Sequence, residues 1–229
     1  MPDLVLHRGA VCATIAVAAV GLALLTGCDS DDGPSGLSSS SGSSSGGPCE
    51  IPWGPHSCDW PTGVTFGTDV GDTLGPGFEW EGYAEGCPVS STITIQDFYD
   101  CDGSIGINAI YLTSSRFNCG SCQQESSEMQ AKIEQSWASL GIKVLFAIIH
   151  DEDDQPAGVD DVLTYKNQYG LDGATLVADP GLSFMSGATI STPHVTIVNP
   201  RTMEVTAVEE GYPGPYAAVE SLAQQNAAN

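Results

Sequence analysis

Basic side chains are scarce in this chain, whose 229 residues hold 6 Lys and Arg against 29 Asp and Glu, for a net charge of -23. Binding to nucleic acid depends on Lys and Arg set against phosphates, so a nucleic-acid partner is excluded. An acidic surface of this kind favours solubility and suits basic or unfolded partners. Phosphate-cradling glycine loops and nucleophile elbows are also missing, which removes the enzymes built on those motifs, and no cofactor is expected. The run Asp151-Glu152-Asp153-Asp154, with Asp160 and Asp161, lacks the glycine and closing glutamate of an EF-hand loop. It reads as a solvated acidic loop, and no metal is expected.

Cysteine, by contrast, occurs eight times, and the start of the chain says in which compartment. Residues 1–27 carry Arg8, an uncharged stretch from Gly9 to Leu25, and then Leu25-Thr26-Gly27-Cys28. A short basic flank followed by an apolar core ending in small residues reads as an export signal, with an uncleaved anchor as the alternative. The last four residues resemble a bacterial lipobox. That resemblance implies cleavage before Cys28, a lipid on Cys28, and a place in the bacterial cell envelope with the domain facing the periplasm or the exterior, where disulfides persist. Residues 28–48 are mostly Ser, Gly and Asp, a composition that cannot bury enough apolar surface to fold. They form a tether whose reach is on the order of 25 Å. Residues 49–62 hold two cysteines, two tryptophans and several prolines and suggest a compact stapled loop. Residues 63–229 then fit one domain with a sizeable core.

The densest chemistry lies at Asn118-Cys119-Gly120-Ser121-Cys122. The apolar run Ile107 to Leu112 precedes it, and Met129, Ile133, Trp137 and Leu140 follow at helical spacing until Gly141 stops the pattern. Two thiols therefore stand where a strand hands over to a helix. A thiolate there meets unpaired N–H groups and the positive end of the helix dipole, which makes it a nucleophile near neutral pH. The second cysteine, one turn on, can attack a mixed disulfide and resolve it.

Further along, Ser191-Thr192-Pro193-His194 leads into the strand-like Val195-Thr196-Ile197-Val198. Strand, C-x-x-C, helix and a later X-Pro loop together resemble the thioredoxin superfamily, in its extracytoplasmic lipoprotein thioredoxin-like (TlpA-like, redoxin) branch, over about residues 63–229. The resemblance implies an α/β thioredoxin fold, with a central mixed sheet flanked by helices and an irregular disulfide-stapled N-terminal extension. It implies a monomeric thiol–disulfide oxidoreductase with Cys119 as nucleophile, Cys122 as resolving thiol, and Thr192 with a cis Pro193 docking the backbone of a protein dithiol or disulfide. X-Pro bonds tolerate cis far better than other peptide bonds; an ordinary trans proline opening an edge strand is the alternative.

The rest of the pattern agrees with that order. Thr92 to Ile95 alternates as a strand; Val144 to Ile149 is an unbroken apolar run suited to a parallel strand covered on both faces; Val162, Tyr165 and Tyr169 mark a helix ending at Gly170. Leu176 to Ala178 is a short strand, Val195–Val198 and Glu204–Val208 form a hairpin turned at Asn199-Pro200-Arg201, and Tyr216–Ala223 closes as a helix.

Several residues depart from the family pattern. Asn118 stands where tryptophan is usual, and Gly120-Ser121 replaces the commoner Gly-Pro. Thr113 occupies the place of a buried acid, and since a hydroxyl cannot take a proton as a carboxylate does, resolution is left to water or a neighbour such as His194. Arg116 reads as an exposed loop arginine or as a partner of the thiolate, and His194 as a strand residue with its ring in solvent or as an auxiliary. A peroxidase is disfavoured because Arg116 and Leu112 hold the positions of its threonine and proline. Copper-delivering relatives use C-x-x-x-C, one residue longer, although a copper(I) site of Cys119, Cys122 and His194 is a second reading and a non-catalytic surface module a third. With Cys12 lost and Cys28 lipidated, sequence proximity favours Cys49–Cys58 and Cys87–Cys101 as structural disulfides. A zinc site of Cys87, Cys101, Cys119 and Cys122, or electron passage from Cys119 to a third cysteine, is the alternative.

Overall fold

The computed structural model describes residues 58–185 and 191–228. The export signal, Cys28, the tether, Cys49 and most of the stapled extension lie outside the described residues. Among the described residues no helix is long and apolar enough to cross a membrane.

Seven strands make one mixed sheet in the order β2-β1-β5-β4-β3-β6-β7. They are β1 (Glu79–Tyr83), β2 (Ser91–Thr94), β3 (Ala109–Arg116), β4 (Ile142–His150), β5 (Thr175–Ala178), β6 (His194–Asn199) and β7 (Glu204–Glu210). β3, β4 and β5 run parallel, while β6 joins β3, and β1 joins β5, antiparallel. β4 sits in the middle, and Val144 to Ile149 is buried throughout, as the unbroken apolar run requires.

The first helix, α1 (Gly120–Lys132), continues through a π-helical turn (Ile133–Trp137) into α2 (Ala138–Leu140). Gly141 ends it with φ +71°, a left-handed conformation that glycine adopts without penalty. Beyond β4 come α3 (Val159–Tyr169) and, at the C-terminus, α4 (Tyr216–Ala227). Met129, Ile133, Trp137, Val162, Tyr165, Val219 and Ala223 from these helices share one core with Tyr111, Val144, Phe146, Ile148 and Ile197 of the sheet.

The opposite face is covered differently. Ile110, Leu112, Leu145, Ala147 and Val198 pack there against Leu74, Trp80, Phe98, Ile107 and Phe184, from the segment before β3 and the loop after β5. The described α-helices thus gather on one side, and the described end of the extension, through Cys58 and Trp60, is part of the other layer. Trp60 packs on Tyr99 with ring centroids 4.8 Å apart and donates to the Leu74 carbonyl at 3.2 Å.

The disulfide pattern differs from the one sequence proximity favours. Cys58 is joined to Cys101 across 43 residues, which rules out both Cys49–Cys58 and Cys87–Cys101. Cys87 is also disulfide-bonded. Distance along the chain misled because residues from Cys58 to Trp60 lie against the segment before β3, which brings Cys58 to Cys101.

Candidate redox site

β3 ends at Arg116, and Phe117-Asn118 carry the chain to Cys119, which is the N-cap of α1. An extended backbone at Cys119, with φ -119° and ψ 107°, turns its sulfur back over the first turn, where the Cys122 N–H donates to it at 3.1 Å. One N–H of the helix start is thereby satisfied by sulfur, the arrangement that stabilises a thiolate. The two sulfurs are joined as a disulfide. Cys119 is 7% exposed and Cys122 not at all, so the first sulfur is the one a partner can reach.

Two loops complete the surroundings. The Thr192–Pro193 bond is cis, and the Thr192 carbonyl oxygen lies 3.3 Å from the Cys119 sulfur, a distance at which the reduced thiol can donate to it. The Asn118 side-chain amide donates to the Glu152 carbonyl at 2.5 Å, fastening the nucleophile's loop to the acidic β4–α3 loop.

Glu125, one turn past Cys122, is fully buried. Its carboxylate accepts the Tyr111 hydroxyl at 2.5 Å and the Thr113 hydroxyl at 3.0 Å. Burial outweighs both bonds and pushes its pKa up to about 7, the range in which a carboxyl exchanges protons with a thiol near neutral pH. Position 113 has no acid, but a buried acid lies on α1, and the Thr113 hydroxyl donates to it. Sequence reasoning missed Glu125. The signal was present, since Cys122, Glu125 and Met129 follow helical spacing and put an acid on a stripe that is otherwise buried.

The auxiliaries take other roles than those favoured from the sequence. His194 is 7% exposed, opposite Ser114 on β3 and Glu210 on β7; burial lowers its pKa, and Glu210 only partly opposes this. Its ring is thus not in solvent, because β6 is an interior strand. Arg116 is the last residue of β3, half-buried beside His150 of β4, not an exposed loop arginine. Among the described residues, Cys119, Cys122 and His194 do not bring ligand atoms within 4.8 Å of one another, and the one group that does is Cys58, Cys101 and Asp102, two of whose sulfurs are spent in a disulfide. Cys101 is likewise withdrawn from the alternative zinc set.

No family model and no curated protein matches the sequence. Solved structures do match in shape. A protein of Aquifex aeolicus named for electron transfer is 12% identical, with a TM-score of 0.50 over 70% of this chain and 96% of that one. A secreted thiol-disulfide isomerase from Corynebacterium glutamicum is 16% identical, with a TM-score of 0.48 over 74% and 98%. The thioredoxin domain of a thiol-disulfide oxidoreductase from Bacteroides vulgatus is 14% identical, with a TM-score of 0.46 over 66% and 97%. At 12% identity the likeness to the Aquifex protein is one of architecture alone, and it is the mixed sheet order, with the C-x-x-C opening α1 and the cis Thr192–Pro193 bond just before β6, that makes the fold of this chain the thioredoxin fold.

Proposed function

We propose that the chain is a thiol–disulfide oxidoreductase acting on protein dithiols and disulfides through Cys119 and Cys122, held to the outer side of a bacterial membrane by lipid on Cys28. The observation that carries this reading is the Cys119 sulfur, reachable from solvent, accepting the Cys122 N–H at 3.1 Å and facing the Thr192 carbonyl at 3.3 Å.

In the reducing direction the Cys119 thiolate attacks one sulfur of a partner disulfide, and the other partner sulfur leaves as a thiolate. Cys122 then loses its proton to Glu125, and its thiolate attacks Cys119 in the mixed disulfide. The partner's second thiolate is expelled and the Cys119–Cys122 bond forms, two electrons having passed to the partner. The oxidising direction is the reverse. In this reading the backbone of Thr192, turned by its cis bond to Pro193, pairs with the docked partner.

Replacing Cys119→Ser abolishes insulin reduction and disulfide exchange, whereas Cys122→Ser accumulates mixed disulfides that non-reducing electrophoresis resolves. A Cys119→Ser protein with full activity would overturn the reading. The potential of the pair sets the direction: about -270 mV marks a reductant and about -120 mV a strong oxidant. Palmitate labelling of the wild type but not of Cys28→Ser tests the anchor.

A further inference from the structure

The sheet edge that leads to Cys119 also holds a cleft of about 530 Å³, where the end of β5 meets the start of β1 and the first turn of α3. Glu79, Glu81 and Asp179 bring carboxyl groups to it, Trp80 forms part of its wall, and no Lys, Arg or His lines it. The two glutamates are exposed, whereas Trp80 and Asp179 are 6% and 1% exposed. The cleft thus has charged lips and a buried floor.

Its acids have no cation of their own. Ion pairs among the described residues join Lys143 to Glu85, Lys166 to Asp172 and Arg201 to Asp100, and Lys132 stands over the Trp137 and Tyr216 rings. Asp179 accepts from the Ser183 N–H at 2.8 Å and the Ser183 hydroxyl at 2.6 Å, and burial still holds its carboxyl above the usual range. Beside it the buried Trp80 indole N–H makes no hydrogen bond of good geometry, although Asp179 is close enough to feel it. A buried donor left open is costly, and a cleft lined by one sign of charge draws in the other. One ligand that brings a cation to the carboxylates and a carbonyl oxygen to the indole meets both demands, and a basic residue within a peptide is such a ligand.

The position of the cleft relates it to the redox pair. Cys119 follows β3 and the cleft follows β5, two strands away in the order β5-β4-β3. With about 4.8 Å between neighbouring strands, the separation is on the order of 10–15 Å, about three or four residues of extended chain. The β4–α3 loop runs from one to the other, since its Glu152 carbonyl takes the Asn118 amide next to Cys119 and its Ala157 and Gly158 line the cleft. We propose that the cleft of Glu79, Trp80, Glu81 and Asp179 is a specificity pocket for the exchange reaction, taking a lysine or arginine that lies about three or four residues from the partner's reactive cysteine. The proposal rests on the exchange reading above and names its substrates as proteins with a basic residue near the exchanging sulfur. No bond is made or broken in the cleft; it selects and orients the partner.

The test measures the rate constant with which the full chain, its Cys119–Cys122 pair reduced, reduces synthetic peptides. Each end-blocked peptide carries one cysteine as a mixed disulfide with 2-mercaptoethanol and, about three or four residues to one side, either arginine or its neutral twin glutamine. On the side that reaches the cleft, the arginine peptide is expected to react about tenfold faster than its twin, the advantage of hydrogen bonds to charged groups. The double variant Glu79→Gln, Glu81→Gln alters exposed side chains, so the fold survives, and should bring that ratio close to one. Asp179→Asn keeps an acceptor for Ser183 and should lower the ratio as well. A ratio taken within one protein cancels any general loss of activity, which a merely structural defect would cause. Equal rates on the twins in the wild type, or an unchanged ratio in the double variant, overturn the pocket and leave the exchange reading standing as long as Cys119→Ser is inactive. Exchange that persists in Cys119→Ser overturns both.

Discussion

Glu125 is the residue whose ionisation the fold changes most usefully. Its pKa is raised from 4.5 to about 7, by burial first. A carboxyl raised in this way favours the folded state while it is protonated. Its contribution is complete below about pH 4.5 and is lost as the pH climbs through about 7. Urea unfolding of the oxidised protein, in which these two cysteines do not titrate, should show the wild type losing about 3 kcal/mol relative to Glu125→Gln between pH 4.5 and 8. Parallel pH dependences in the two proteins would show that the carboxyl is not perturbed. Cys119 is shaped by position in a different way, since a sulfur at the N-cap replaces the oxygen that usually accepts the helix N–H.

At the scale of elements, the site depends on where β3 is held. Asp100, just before that strand, is fully enclosed and accepts the N–H groups of Ile105, Gly106 and Ile107 at 3.2, 3.0 and 2.9 Å. Arg201, in the β6–β7 turn, pairs with it at 2.9 Å and donates to the carbonyls of Asp100 and Ile107. The clasp fixes the start of β3 against the hairpin whose other end carries Thr192-Pro193, so both walls of the redox site share one anchor. Asp100→Ala leaves the guanidinium without its charge partner and the Ile105 and Ile107 N–H groups without an acceptor, Gly106 keeping only the Gly103 carbonyl at 3.2 Å. It should cost about 3–5 kcal/mol in urea unfolding, whereas a loss below 1 kcal/mol would mean that solvent replaces the carboxylate.

For the whole molecule, the Cys58–Cys101 bond ties the extension to the non-helical layer and closes a loop of 43 residues. Such a closure is worth about 4 kcal/mol through the entropy of the unfolded chain. The double variant Cys58→Ser, Cys101→Ser should unfold at correspondingly lower urea while retaining disulfide exchange at temperatures where it is folded. Loss of exchange in the folded variant would mean that this bond takes part in the redox cycle.

By itself the sequence determined the order of the elements from β2 onward, though not β1 (Glu79–Tyr83), because hydrophobic spacing and glycine stops act over a few residues and are written locally. It likewise marked Cys119 and Cys122 and the X-Pro loop at Thr192-Pro193, where short motifs carry the chemistry. Only the tertiary structure decided that Cys58 meets Cys101, that His194 is buried in an interior strand, and that Glu125, one turn past Cys122, is buried with Thr113 and Tyr111 as its donors. Those facts arise from contacts between segments far apart in the chain. Burial, which sets both a disulfide's partner and a carboxyl's pKa, is a property of the packed layers.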